Sequence, residues 1–243
     1  MAADVAHVAW AVNLACLGFH VWPYLAADPE HADELRLDLD PQPGTGFAEA
    51  VPAALALRDL MGEVGLTPFV KTSGSRGIHV FAPIEPEHEF LDVRHAVIAL
   101  ARELERRMPA ELTTAWWKEE RGDRIFIDFN QANRDRTMAG AYSPRPLPHA
   151  PVSCPLAWDE VESADPREFT IRTIPDRLRD VGDPWAGMRS NPGRLTTLLE
   201  WWQRDLDDGL GELPFPPDFP KMPGEPPRVQ PSRINPENWP KEG

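Results

Sequence analysis

Leu35-Arg36-Leu37-Asp38-Leu39-Asp40-Pro41 alternates apolar and charged residues with period two. A strand sends successive side chains to opposite faces, so Leu35, Leu37 and Leu39 turn one way and Arg36, Asp38 and Asp40 the other. Arg124-Ile125-Phe126-Ile127-Asp128-Phe129 has the same period. There Ile125, Ile127 and Phe129 face a core and Asp128 faces the open side. If the two strands are neighbours, three carboxylates converge. Converging carboxylates repel one another unless a hard cation lies between them, and oxygen donors suit Mg²⁺ or Mn²⁺.

The order of elements between these strands predicts that they are neighbours. Pro41-Gln42-Pro43-Gly44 reads as a turn. Residues 47–64 then carry Phe47, Val51, Ala54, Leu57, Leu60, Met61 and Val64 on one helical stripe. A strand over 68–72, the turn Ser73-Gly74-Ser75-Arg76-Gly77 and a strand over 78–84 follow. Residues 91–108 place Val93, Val97, Leu100, Ala101, Leu104 and Met108 on a second helical face, and the strand over 124–129 closes the unit. The order β-α-β-β-α-β is the split βαβ or ferredoxin-like pattern. Its first and last strands lie side by side at the sheet centre, and the third flanks the first. Both helices then cover one face, and Asp38, Asp40, Asp128 and His79 share the other. The plainer reading is of solvent-facing acids on an exposed sheet, but acids are poor strand formers and repel across a pair. The expected class is α+β, with a βαββαβ catalytic module over 35–129 and flanking helices.

Outside that module, residues 5–17 are helical in period, with Val8, Ala11, Val12, Leu14 and Ala15 as candidates for burial. Phe19 to Tyr24 reads as a strand leading to the catalytic sheet, and Thr137-Met138-Ala139 as strand-like. Pro144, Pro146, Pro148, Pro151 and Pro155 exclude a long helix there. Residues 167–180 and 192–206 read as helices. The second starts at Ser190-Asn191-Pro192 and aligns Leu195, Leu198, Leu199 and Trp202. From Gly211 onward ten of 33 residues are proline, which predicts an extended or disordered arm over 211–243 beside a catalytic domain over 1–210.

The 243 residues carry a net charge of −14, which argues against a broad nucleic-acid surface. The acid is uneven, concentrated in Asp28 to Glu34 and over 159–168, while Arg134, Arg136 and Arg145 follow the third acid. A local positive funnel over the acids is the expectation, and any nucleic acid there would be held weakly and in a salt-sensitive way. No basic leader precedes an apolar run near Met1, and no apolar run is long enough to span a bilayer. Cys16 and Cys154 form no CxxC or Cys/His cluster, so two reduced thiols of a cytoplasmic protein are expected.

Acids that hold hard cations beside a phosphate-binding turn would suit phosphoryl transfer, which needs charge neutralisation and alignment more than covalent chemistry. The turn at 73–77 offers flexible backbone and N–H groups suited to phosphate, though the same composition makes an ordinary hairpin. Arg76 and His79 beside it favour phosphate. His79 otherwise reads as a structural strand histidine, His20 as a core histidine and Arg145 as a surface arginine. Trp116 and Trp117 could stack on bases, but packing is the commoner use.

At these residues the chain resembles the primase-polymerase domain of the bacterial end-joining DNA ligase system, within the archaeo-eukaryotic primase superfamily. Asp38-Leu39-Asp40-Pro41, Thr72-Ser73-Gly74-Ser75-Arg76-Gly77-Ile78-His79 and Phe126-Ile127-Asp128-Phe129 with Gln131 and Asn133 carry the match. Phe19-His20-Val21-Trp22-Pro23, Ala141-Tyr142-Ser143-Pro144-Arg145 and the segment over 151–158 support it. The resemblance covers roughly residues 5–205. It implies a DNA-dependent nucleotidyltransferase that adds ribo- or deoxyribonucleotides to primer 3′ ends in gap filling and end joining. The implied metal ligands are Asp38, Asp40 and Asp128, holding two Mn²⁺ or Mg²⁺ ions. The implied triphosphate contacts are Ser73, Arg76, Arg121 and Arg145, with His20 and Gln131 on the nucleotide side. Arg76 is often lysine in relatives, which replaces a point charge by a fork.

DNA ends or gaps, nucleoside triphosphates and end-joining factors such as Ku and a ligase are the implied partners, at a cytoplasmic, nucleoid-associated location. In the family the motif holding His20 follows a sizeable portion with lysines that resemble a 5′-phosphate pocket. Met1 stands shortly before His20 here, so an N-terminally incomplete domain is expected. Competing readings are a non-catalytic nucleic-acid module, a metal-dependent phosphohydrolase and an inactive truncated relative. Acids where an RNA-binding sheet would show aromatics disfavour the first, and the triphosphate set disfavours the second.

Overall fold

Leu35, Leu37 and Leu39 are completely buried, and their alternation makes the strand that organises the molecule. The structure, a computed structural model, describes residues 4–214. In chain order the elements begin with helix α1 (Val5–Asn13), strands β1 (His20–Val21) and β2 (Glu34–Asp40), and helix α2 (Phe47–Glu63). Strands β3 (Phe69–Thr72) and β4 (Ile78–Pro83), helix α3 (Phe90–Arg107), strand β5 (Leu112–Thr113) and the single turn α4 (Lys118–Arg121) come next. Strands β6 (Ile125–Asp128), β7 (Met138–Ala139) and β8 (Pro155–Leu156) and helices α5 (Ile174–Val181) and α6 (Thr196–Asp207) complete them.

Six strands form one sheet in the order β5-β6-β2-β4-β3-β8. The central four, β6-β2-β4-β3, are the last, first, third and second strands of the split βαβ unit, all antiparallel to their neighbours. The sequence order therefore gives the expected adjacency, and the class is α+β as read. Two short strands extend the edges: β5, parallel to β6, and β8, antiparallel to β3.

Register divides the sheet into rows. Ile78, Val80 and Ala82 stand opposite Leu39, Leu37 and Leu35 and share their buried face. Against this apolar face pack Leu57, Leu60 and Met61 of α2 and Val93, Val97 and Leu100 of α3. Glu49 reaches back to the Gly46 N–H at 2.7 Å and satisfies a donor at the start of α2. Helix α6 lies on α3: Trp202 stacks on His95 with ring centres 4.2 Å apart. Asp205, fully buried, accepts from Arg102 at 3.5 Å and Arg106 at 3.3 Å.

Several expectations are corrected. The face carrying Arg36 is not open. Arg36 is fully buried and donates to the carbonyls of Val21 (2.8 Å) and Trp22 (2.5 Å) and to Glu34. The expected strand over 19–24 shortens to β1 and pairs with β7 in a separate two-stranded sheet. Helix α1 stops at Asn13, Ala15 takes a positive φ of 62°, and Val8, Val12, Leu14 and Ala15 are all exposed. Periodicity shows which face a helix could bury, not that anything lies against it. The helix read over 167–180 is a 3₁₀ turn at Pro166–Glu168 followed by α5. The helix read from 192 begins at Thr196, because Gly193 bonds instead to the end of β4: its N–H to Pro83 O at 2.9 Å and its carbonyl to Glu85 N at 3.0 Å.

Both cysteines are free, Cys154 being buried. Among the described residues no helix is long and apolar enough to cross a membrane. The proline-rich arm lies outside the described residues apart from 211–214.

Candidate active site

One row of cross-strand partners runs over four strands on the face away from α2 and α3. Asp128 on β6 stands opposite Asp38 on β2, Asp38 opposite His79 on β4, and His79 opposite Lys71 on β3. Asp40 lies two residues beyond Asp38 and so on the same face. The antiparallel register makes this row, and the alternation of β2 decides that acids rather than leucines occupy it.

Burial comes first in raising Asp38's proton affinity well above the ordinary carboxylate range, and repulsion from Asp128 and Asp40 adds to it. Lys71 and Arg145 oppose that rise. Asp40 is also raised, by burial first, with Arg121 and Arg76 pulling the other way. Asp128 is held by its own turn: its oxygens accept from Asn130 N at 2.9 Å and Gln131 Nε2 at 2.7 Å. Among the described residues no three His, Cys, Asp or Glu side chains are drawn together closely enough to hold a metal ion. The acids are adjacent, but they are not gathered around one point.

Beside the row, the Ser73–Gly77 turn joins β3 to β4. Ser73 Oγ accepts from the N–H groups of Ser75 and Gly77, both at 3.1 Å. Two of the N–H groups expected to face phosphate are thus committed inside the turn. Both inner glycines are needed for close approach. A Cβ at Gly74, where φ is +73°, would stand 2.6 Å from Arg145 Cγ, and one at Gly77 2.7 Å from Leu39 O. The turn is therefore pressed between the acid strand and Arg145.

These elements enclose a cleft of about 330 Å³. Asp38, Asp40, Ser73, Arg76, His79, His20, Gln131 and Arg145 line it, with Ser75, Gly77, Thr137, Met138 and Ala139. His20 enters from β1, and its proton affinity is lowered by burial, then by Arg145 and Lys71. His79 Nε2 stands 3.6 Å from Asp38 Oδ1. Burial, then the charges of Lys71, Arg145 and Arg36, hold its imidazole neutral well below the usual range.

Two expected site residues lie outside the lining. Asp128 is behind its turn, and Arg121 is in the wall. Arg121 donates to the carbonyls of Ala115 (3.0 Å) and Trp116 (2.8 Å), and its guanidinium centre is 3.5 Å from the centre of the Phe126 ring. Its charge reaches the site through Asp40. Arg134, expected in the positive funnel, pairs with Glu30 instead. Trp116 and Trp117 are half-buried.

The sequence reading missed Lys71 and Ser153. In Phe69-Val70-Lys71-Thr72 alternation assigns lysine to the polar face, and nothing local shows that residues 152–154 close over it. Both side chains are completely buried, and Lys71 Nζ lies 2.7 Å from His79 Nδ1 and 2.5 Å from Ser153 Oγ.

A family model described as LigD, primase-polymerase domain, matches residues 1–185. The LigD multifunctional non-homologous end joining protein of Pseudomonas aeruginosa is 31% identical over 192 residues, 78% of this chain and 23% of its own length. The Bacillus subtilis protein, a bifunctional non-homologous end joining LigD, is 31% identical over 191 residues, 78% of this chain and 31% of its own. Among solved structures, the polymerase domain of Mycobacterium tuberculosis ligase D in complex with DNA superposes with a TM-score of 0.68 at 29% identity. That match covers 78% of this chain and 69% of the other. The chain belongs to the LigD primase-polymerase domain family. It spans between 23% and 31% of the length of these two curated relatives.

Proposed function

We propose that this chain is a DNA-dependent nucleotidyltransferase that adds nucleotides to primer 3′ ends at gaps and broken ends. The observation that carries the reading is the register of Asp38 against Asp128, with Asp40 on the same face, at the edge of a cleft rimmed by Arg76 and Arg145. The three carboxylates offer oxygen donors only, which suits Mg²⁺ or Mn²⁺, and their side chains would close around the ions from the positions they now hold. Asp38, Asp40 and Asp128 would hold the ions, with Asp128 turning from Gln131 to do so. A bound divalent cation would supply charge neutralisation at the triphosphate and the primer hydroxyl.

The chain's own side chains account for the rest. Arg145 and Arg76 place fixed positive charge on the cleft wall, where a triphosphate would carry its negative charge. Gln131 and His20 also line the cleft. Family membership supports polymerase chemistry over hydrolysis, and the solved M. tuberculosis relative bound to DNA supports DNA as the polymer. The same membership supports action at DNA ends beside Ku and a ligase in the cytoplasm.

The test is templated extension of a labelled primer on gapped DNA, with ribo- and deoxynucleoside triphosphates, in Mn²⁺, in Mg²⁺ and in a chelator. Extension by the templated nucleotide that disappears in the chelator is expected. Hydrolysis of triphosphate without extension would refute the assignment.

A further inference from the structure

Lys71 sits at the end of the row of charged residues, on the side away from the acids, with no route to solvent. Its ammonium meets His79 Nδ1 at 2.7 Å and Ser153 Oγ at 2.5 Å, and lies 5.4 Å from the centre of the Phe81 ring. The next link fixes the direction of the serine contact. Ser153 Oγ donates to Thr72 O at 2.7 Å, and a hydroxyl has a single hydrogen. Lys71 is therefore the donor to Ser153. An ammonium has three hydrogens and no lone pair, so a charged Lys71 also donates to His79 Nδ1. A neutral imidazole whose Nδ1 accepts carries its hydrogen on Nε2. That nitrogen is the one 3.6 Å from Asp38 Oδ1, on a ring that lines the cleft.

We propose that Lys71 is a positioning residue: it fixes His79 in the Nε2–H tautomer, so that a neutral imidazole presents a hydrogen-bond donor to the cleft beside Asp38. The tautomer stands on the contacts of a charged Lys71. That the donor serves a triphosphate oxygen rests on the proposed function above. The arrangement explains why a lysine is buried on a strand that offers no carboxylate contact. It holds another side chain's hydrogen in place, as Ser153 and Thr72 hold its own. An Nδ1 that accepts from an ammonium carries no hydrogen, so the ring works as a donor through Nε2 and not as a second cation.

The experiment is a long-range ¹H–¹⁵N correlation spectrum of the full chain with ¹⁵N-labelled histidine. It is recorded near pH 6, below the value of about 7 to which burial lowers Lys71. His79→Gln identifies the signals of His79. In the unaltered protein the expected pattern is a protonated Nε2 and a bare Nδ1. Lys71→Met should move the hydrogen to Nδ1 or give a mixture, and Lys71→Arg, also a donor only, should restore Nε2–H. A wild-type ring protonated on Nδ1 would overturn the proposal, and so would an unchanged tautomer in Lys71→Met. The wild-type spectrum decides alone if the methionine variant does not fold.

The second readout is triphosphate affinity. Lys71→Met should weaken it about tenfold, the size of one hydrogen bond to a charged group. That loss should vanish in a His79→Ala background, where a purely structural role would leave it in place. The expected tautomer with no triphosphate binding in any variant would keep the positioning role and refute the nucleotidyltransferase reading instead.

Discussion

Asp38 is the residue on which electrostatics weigh most. Its folded proton affinity is raised, so as pH climbs from the unfolded value of about 4 the unfolded chain loses a proton that the folded chain still holds. Stability then falls with rising pH across that window. Asp38→Asn carries no such proton. It should be more stable than the parent at neutral pH, with the gain fading below about pH 4. Urea unfolding at both pH values measures it, and equal stabilities at neutral pH would show that the acids do not strain one another. Arg145 presses on the hairpin and lines the cleft. Arg145→Ala should weaken triphosphate binding by about tenfold or more while changing DNA affinity little, as titration of labelled nucleotide and labelled duplex would show. At this scale the acids were legible because alternation on a strand fixes facing. Lys71 and Arg36 were not, because alternation separates two faces without saying which is later covered. Arg121 rests on the resemblance alone, and its carbonyl contacts depend on the fold of residues 115–121.

At the scale of elements, the βαββαβ order could be read because its helices and long strands repeat their apolar residues over several turns or pleats. The two-residue strands β5 and β8 carry no period, and their pairing comes from chain distant in sequence. The late start of α6 has the same origin, since backbone bonds from Gly193 to Pro83 and Glu85 replace a first helical turn. Two substitutions test how the elements hold the site. Gly77→Ala would set a Cβ 2.7 Å from Leu39 O and force the hairpin off β2. It should destabilise the fold by about 1–3 kcal/mol and weaken triphosphate binding as well. Asp205→Ala would leave Arg102 and Arg106 without their shared acid between α3 and α6. A loss of about 3 kcal/mol in urea unfolding is expected, with triphosphate affinity unchanged in the folded fraction. A Gly77→Ala protein that binds nucleotide normally would separate the hairpin from the site.

Over the whole molecule the net charge of −14 stands against a polymer of phosphates. Arg76 and Arg145 supply the positive charge that lines the cleft, and Lys71 lies buried against His79. Association with DNA should therefore be weak and fall steeply with salt, while on the proposed reading catalysis would depend on Asp38, Asp40 and Asp128. The most direct test of that dependence is incorporation of one templated nucleotide at a gap, in Mn²⁺, by the parent chain and by Asp40→Ala side by side. Their unfolding midpoints are measured on the same preparations. The expected result is incorporation by the parent and a loss of at least about a hundredfold in the variant, with the variant still folded. A folded Asp40→Ala protein that incorporates nucleotide at the parent rate would contradict the role assigned to the acids.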